Sequence, residues 1–295
     1  MAKKIQIAVL GGDARQVSAA EWLVEHGCQV SAWGLCDMST AVEVCESPDA
    51  AIREAEVLLL PIPLSRDQLW VNGTSLSVST LSSILRPGMT VLCGMPNSEW
   101  IADAEQRNVE VIDYSRDEIF MIRNALPTAE GAVAIAMNEM RRTLFDSNIM
   151  VVGYGRIGKL LADLLIRIGA NVTVAARKSA DLATAELHGC KTCPLLCTSE
   201  DEAYSMPVLR ERYHVIFNTV PFPLIEESVL ESLATDTVLI DLASAPGGID
   251  YDAANRLGLK TVVALSLPGK VAPVTAGEII GECVLRYCGK RGRVL

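Results

Sequence analysis

The run Ile149-Met150-Val151-Val152-Gly153-Tyr154-Gly155-Arg156-Ile157-Gly158 bears most directly on chemistry. A β-branched strand enters G-x-G-x-x-G and an amphipathic helix follows, the context in which such glycines bind a dinucleotide rather than merely turn the chain. Gly153 permits the tight turn, Gly155 lets the backbone approach a pyrophosphate, and Gly158 allows close packing of helix on strand. Free N–H groups and the positive dipole end of the helix then face the phosphates, with Tyr154, Arg156 and Ile157 carried between the glycines. The end of the next strand selects the dinucleotide. An NAD site places Asp or Glu about 20 residues on, against the ribose 2′-hydroxyl. Here the chain reads Ala176-Arg177-Lys178-Ser179. Two cations and a hydroxyl suit a 2′-phosphate, so NADP is expected, with NAD as the alternative. Two later strand ends, Asn218-Thr219-Val220-Pro221 and Asp241-Leu242-Ala243-Ser244, face the same crevice if strand carboxyl ends carry the ligand. Asn218, Thr219 and Ser244 can donate to a carboxamide or ribose; Asp241 either joins them or only forms the turn.

A second turn, Gly11-Gly12-Asp13-Ala14-Arg15, lacks the third glycine but puts a carboxylate and a guanidinium at a strand-to-helix junction. Across a cleft from a dinucleotide domain, it either clamps a substrate anion or is a structural ion pair. His188, Cys190, Cys193 and Cys197 suggest a metal, but no second ligand pair follows at the distance a structural zinc site needs. That run also falls where the third strand of the dinucleotide unit belongs, so reduced structural thiols and no metal are expected. His26 ends a helix, His188 precedes a glycine and His214 opens a strand, poor places for a general base.

These residues need elements to hold them. Short β-rich runs at Ile5–Leu10, Gln29–Trp33, Val57–Ile62, Thr90–Cys93 and Val109–Ile112 alternate with helical stretches; Val17, Ala20, Leu23 and Val24 share one helix face that stops at Gly27. The alternation restarts at Ile149–Val152, Val172–Ala176, Val215–Asn218, Val238–Asp241 and Thr261–Leu265, with a helix over Arg156–Ile168 and a capping box at Ser199–Glu202 opening another. Between the two series, Ala129, Ala132, Val133, Ala136, Met137, Met140 and Leu144 recur at helical spacing, started by Pro127-Thr128 and stopped by Asp146. The expected fold is therefore α/β: two doubly wound parallel-sheet domains joined by a connecting helix, the C-terminal one a Rossmann dinucleotide-binding domain. The boundaries are residues 1–127 for a flavodoxin-like domain, 128–146 for the connecting helix and 147–272 for the Rossmann domain. A last helix at 274–289 is expected to return to the first domain.

Composition sets the outer limits. The chain has 295 residues, 50% of them hydrophobic, and a formal net charge of −10, which suits two cores and argues against a nucleic-acid partner. The apolar run Ile5–Leu10 is too short for a signal-peptide core or a membrane span, so a cytoplasmic protein without a membrane partner is expected. Nine cysteines, an odd number lying mostly in apolar segments, fit reduced thiols.

Several strings together resemble the dipicolinate synthase A-subunit family of spore-forming bacteria: Ala8–Gln16, Pro127–Gly131, Gly153–Gly158, Ala176–Ala180, Asn218–Pro221, Asp241–Gly248 and Leu267–Gly277. The resemblance runs from near the N-terminus to the last helix, and Gly-Gly-Asp-Ala-Arg-Gln and Leu-Pro-Gly-Lys-Val-Ala-Pro are its most specific parts. It implies an oxidoreductase that, with the flavoprotein-like B-subunit of dipicolinate synthase, converts dihydrodipicolinate to dipicolinate in the mother-cell cytoplasm during sporulation, and an oligomeric assembly. It implies the two-domain plan of the 2-hydroxyacid and alanine dehydrogenases, yet Ser244-Ala245-Pro246 stands where the hydroxyacid enzymes place a catalytic Arg. Such a reaction needs cations for two substrate carboxylates and a proton acceptor. Arg15, Arg123 and Lys270 are the candidate cations, with Asn97, Asn124, Thr128 and Ser244 in support; Arg123 is as readily an exposed helix-end residue. Glu130 and Asp13 are the candidate bases, although Glu130 near a helix start also serves the dipole. Two other readings stand beside this one: another NAD(P)-dependent two-domain dehydrogenase of an amino or hydroxy acid, and a non-catalytic dinucleotide-binding scaffold.

Overall fold

The computed structural model describes residues 4–197 and 204–290. By its internal contacts the chain forms two units, Met1–Asn124 with Pro268–Leu295, and Ala125–Leu267.

The first unit is built on β1 (Gln6–Leu10), β2 (Gln29–Trp33), β3 (Glu43–Val44), β4 (Val57–Leu59), β5 (Thr90–Cys93) and β6 (Glu110–Asp113), in the sheet order β3-β2-β1-β4-β5-β6. Every pairing is parallel. Leaving aside the two-residue edge strand β3, this is the 2-1-3-4-5 order of flavodoxin-like sheets. Ile7 and Val9 enter one core while Ala8 and Leu10 enter another, so both faces of β1 are buried, as a parallel sheet requires. Helices α2 (Pro48–Ile52), α3 (Val78–Ile84) and α4 (Ser98–Gln106) serve one face. On the other lie α1 (Ala14–Glu25) and residues 279–288 of the C-terminal helix.

That C-terminal contact depends on missing side chains. A Cβ at Gly277 would stand 2.6 Å from the Arg15 carbonyl oxygen, and one at Gly281 would stand 2.5 Å from the Trp22 ring. Two glycines one turn apart thus let the helix backbones approach closely. Asp117 ties the same region together by accepting from Arg286 Nη2 at 2.5 Å and from the Tyr287 hydroxyl at 3.2 Å.

The connecting helix differs from its expected 128–146 span: α5 runs over Glu118–Glu139 with Pro127 inside it. Its start is set by Asp117, whose carboxylate accepts the Phe120 N–H at 2.8 Å. Pro127 removes one backbone donor, but Ala129, Ala132 and Ala136 on the same helix are fully buried, and that packing outweighs the loss. Leu144 keeps the apolar spacing from within a turn, packed on the core below.

The second unit contains β7 (Asn148–Val152), α6 (Arg156–Ile168), β8 (Asn171–Ala176), α7 (Ser179–Leu187), β9 (Lys191–Pro194), β10 (Leu196–Cys197), β11 (Tyr204–Ser205) and β12 (Val215–Asn218). It continues with α8 (Glu227–Leu230), β13 (Val238–Asp241), α9 (Tyr251–Arg256) and β14 (Lys260–Val263), before α10 (Leu267–Val271) and α11 (Pro273–Lys290). Its six-stranded parallel sheet has the order β14-β13-β12-β7-β8-β9, which is the 3-2-1-4-5-6 Rossmann arrangement. The α/β expectation is met in both units. Between β9 and β12 the described residues form an antiparallel pair, β10 with β11, and no helix; the capping box at 199–202 lies outside the described residues. No helix among the described residues is long and apolar enough to cross a membrane.

Candidate dinucleotide crevice and the Arg15 turn

The loop from β7 into α6 has the shape its glycines predict. Gly153 has φ +96°, and a Cβ there would lie 2.3 Å from Thr219 Oγ1. A Cβ at Gly158 would lie 2.2 Å from the Gly153 carbonyl oxygen, so helix and strand meet only because that side chain is absent. Gly155 is different: a Cβ there would meet nothing within 4 Å, and as N-cap it places no side chain over the first N–H groups of α6. Donors turned outward beside open space are what a pyrophosphate needs.

The crevice above this loop has a volume of about 570 Å³ and is lined by Gly153–Gly155, Arg177, Lys178, Tyr204 and Thr219–Phe222, among others. Arg177 and Lys178 are exposed at the end of β8, where Ser179 begins α7. The Arg177 guanidinium lies 5.8 Å from the Tyr204 ring centre. Asp181 also lines the crevice, with its carboxylate 3.7 Å from Lys159, whose ammonium stands over the Tyr154 ring. Thr219 donates to the Val152 carbonyl at 2.9 Å, fixing the loop after β12. Tyr204 and Phe222 are lining residues that the sequence did not single out; neither sits in a motif or a periodic run.

Asn218 and Asp241 are turned inward. Both are fully buried. Asn218 Nδ2 donates to the Val220 carbonyl and to Asp241 Oδ1, each at 2.9 Å, while its own oxygen accepts the Val220 N–H. Asp241 also accepts from the Ala243 and Gly248 N–H groups, each at 3.0 Å, and from the Tyr251 hydroxyl at 2.6 Å. Burial and that carboxylate push the Tyr251 phenol well up. Asp241 therefore builds the turn that carries exposed Ser244, and its acceptors are used inside it.

In the first unit the corresponding turn is closed by the chain itself. The Gly12 N–H donates to the Asn72 carbonyl at 2.8 Å, and a Cβ at Gly73 would lie 2.1 Å from the Gly12 oxygen. Asp13 caps α1, with Gln16 completing a capping box. Arg15 is 6% exposed; its Nε and Nη2 grip the Asp13 carboxylate at 2.8 Å each, and Nη2 also donates to the Ile62 carbonyl at 2.8 Å. Burial raises the Asp13 pKa, but the hydrogen bonds and charge of Arg15 outweigh it and leave the carboxyl below its usual value. An acid so held is a poor proton acceptor and a good anchor. Arg15 Nη1 takes no part in these bonds and carries two further N–H donors. Gly269 lies directly against Arg15, where a Cβ would stand 2.9 Å from Nε, and the next residue, Lys270, is exposed.

The other candidates are scattered. Asn97 caps α4 by accepting the Trp100 N–H at 2.7 Å. Arg123 is paired with Glu282. Asn124 ends the first unit; Thr128, buried, and Glu130, exposed, belong to the second. All nine cysteines are free thiols, and burial raises the Cys190 and Cys193 pKa values. Among the described residues no group of three His, Cys, Asp or Glu is placed to hold a metal.

Residues 6–115 match the family model for the N-terminal domain of the dipicolinate synthase A-subunit. The chain is 31% identical to the dipicolinate synthase A-subunit of Bacillus subtilis (strain 168) over 294 residues, covering 94% of each. Among solved structures it is similar to the dipicolinate synthase A-subunit from Bacillus halodurans, with a TM-score of 0.81 and 27% identity over 97% of this chain and 98% of that one. A transhydrogenase from Sinorhizobium meliloti shares the fold, at a TM-score of 0.66 and 16% identity over 95% of this chain and 94% of that one. Near full-length similarity of sequence and architecture places the chain in the dipicolinate synthase A-subunit family.

Proposed function

We propose that the chain oxidises dihydrodipicolinate to dipicolinate with NADP, together with a flavoprotein-like B-subunit, in the cytoplasm of a sporulating cell. The observation that carries this reading, in a member of this family, is the open glycine loop with Arg177 and Lys178 on the same crevice wall. The loop glycines and the N–H groups of α6 hold the pyrophosphate, and Arg177, Lys178 and Ser179 hold the 2′-phosphate. NADP, when bound, supplies a hydride acceptor.

The dihydropyridine ring gives up a hydride and a proton and becomes aromatic, so the chain has two carboxylates to position and one proton to accept. Arg15 binds one carboxylate through Nη1, its other edge held rigid by Asp13. Lys270, beside the glycine that packs on Arg15, supplies the second cation. Glu130 is the proton acceptor, because Asp13 is committed to Arg15. Asn97, Arg123, Asn124, Thr128 and Ser244 are secondary candidates.

The test is to mix the chain with the B-subunit, dihydrodipicolinate and NADP or NAD, and to follow the ultraviolet absorbance of the aromatic product. Product formation faster with NADP is expected. No product with either dinucleotide overturns the reading.

A further inference from the structure

At the amino ends of the second unit's strands, on the edge of the sheet opposite the glycine loop, lies another cavity, of about 390 Å³. Its lining includes Arg141, Arg142, His214, Asp236, Glu139 and Lys260. The two carboxylates are spoken for: Asp236 binds Arg212 at 2.5 Å, and Glu139 pairs with Lys260. Neither neutralises Arg141 or Arg142.

His214 is fixed by the sheet. Its N–H donates to the Asn148 carbonyl at 2.8 Å and its carbonyl accepts the Val238 N–H at 3.0 Å. Its ring accepts the Asn148 N–H on Nδ1 at 3.0 Å, so a neutral imidazole carries its proton on Nε2. Yet Nε2 stands 2.9 Å from Arg142 Nη1, and a guanidinium has no lone pair to offer. Two donors therefore face each other. Adding a proton to the ring would only worsen the conflict, and burial together with Arg142 and Arg212 lowers the His214 pKa. An oxygen carrying negative charge accepts from both groups at once and relieves the opposition. Arg141, which has no hydrogen-bond or ion-pair partner among the described residues, adds a second guanidinium on the same lining.

We infer that this cavity is a second anion site, distinct from the dinucleotide crevice, that takes a small oxyanion, a phosphate or a carboxylate, between Arg142, His214 Nε2–H and Arg141. Guanidinium forks and a neutral imidazole donor match such oxygens in charge and geometry.

Calorimetric titration of the full chain, free of dinucleotide and at constant ionic strength, tests the site with inorganic phosphate in one arm and pyridine-2,6-dicarboxylate in the other. At least one probe is expected to bind saturably, and whichever binds more tightly names the source of the oxyanion. Arg142→Gln should weaken that binding about tenfold or more, while Lys191→Ala, at an exposed cation outside this cavity, leaves it unchanged. The ¹⁵N resonance of His214 Nε2 should move on saturation. Three results overturn the proposal: no saturable binding of either probe at millimolar concentration, wild-type affinity in Arg142→Gln, or an equal loss in Lys191→Ala. Arg142 is exposed, so its replacement leaves the fold intact, and matching melting temperatures check that.

Discussion

Arg177 and Lys178 stand at the end of β8 where a carboxylate would favour NAD, and their effect is measurable apart from catalysis. Replacing both with Ala should weaken NADP far more than NAD, by roughly 1–3 kcal/mol for lost charge-assisted bonds. Competitive binding titrations check this, and equal losses for the two dinucleotides would contradict it. Asp13 offers a test through pH. Its carboxyl titrates lower in the folded chain than in the unfolded one, so its contribution is present above the ordinary carboxylate range and is lost as pH falls below about 4. Asp13→Ala should lower stability near neutral pH by about 1 kcal/mol for the cap alone, plus the cost of unpairing Arg15. Its urea midpoint should then vary less with pH on the acid side than that of the wild type.

At the scale of elements, one strand-turn-helix junction is sealed and the other open. Asp13 and the Asn72–Thr74 loop occupy the first, and nothing caps the second. Gly155→Ala should therefore melt like the wild type but bind the dinucleotide weakly, because its Cβ enters space the fold does not use. Gly158→Ala drives a Cβ into the Gly153 carbonyl and should lose stability by about 1–3 kcal/mol as well as affinity. Thermal melts with and without NADP separate the two effects. Most strands were legible in sequence because alternate residues enter the two cores on either side of each sheet, as Ile149 and Val151 do opposite Met150 and Val152. The start of α5 was not, because Pro127 reads locally as a boundary while the buried alanines that override it are a tertiary effect. The β10–β11 pair escaped for a similar reason: two-residue strands leave no period to detect. In the site, the glycine loop was readable from spacing alone. The inward turn of Asn218 and Asp241 was not, since the two bond each other across 23 positions of sequence and Tyr251, ten positions further on, closes on Asp241.

For the whole molecule, a net charge of −10 does not preclude sites for anions, because a few cations suffice where they cluster. Arg177 and Lys178 line the candidate dinucleotide crevice, and Arg15, buried, is held by Asp13 through Nε and Nη2. In the proposed reaction the dinucleotide held by this chain, and not an oxidant elsewhere, takes the hydride. The most direct measurement is the ratio of reduced dinucleotide to aromatic product, followed anaerobically in the chain with the B-subunit, NADP and dihydrodipicolinate. One reduced dinucleotide is predicted for each dipicolinate formed, at a rate that falls in the Arg177→Ala, Lys178→Ala double variant. Aromatic product appearing without reduced dinucleotide would contradict the claim.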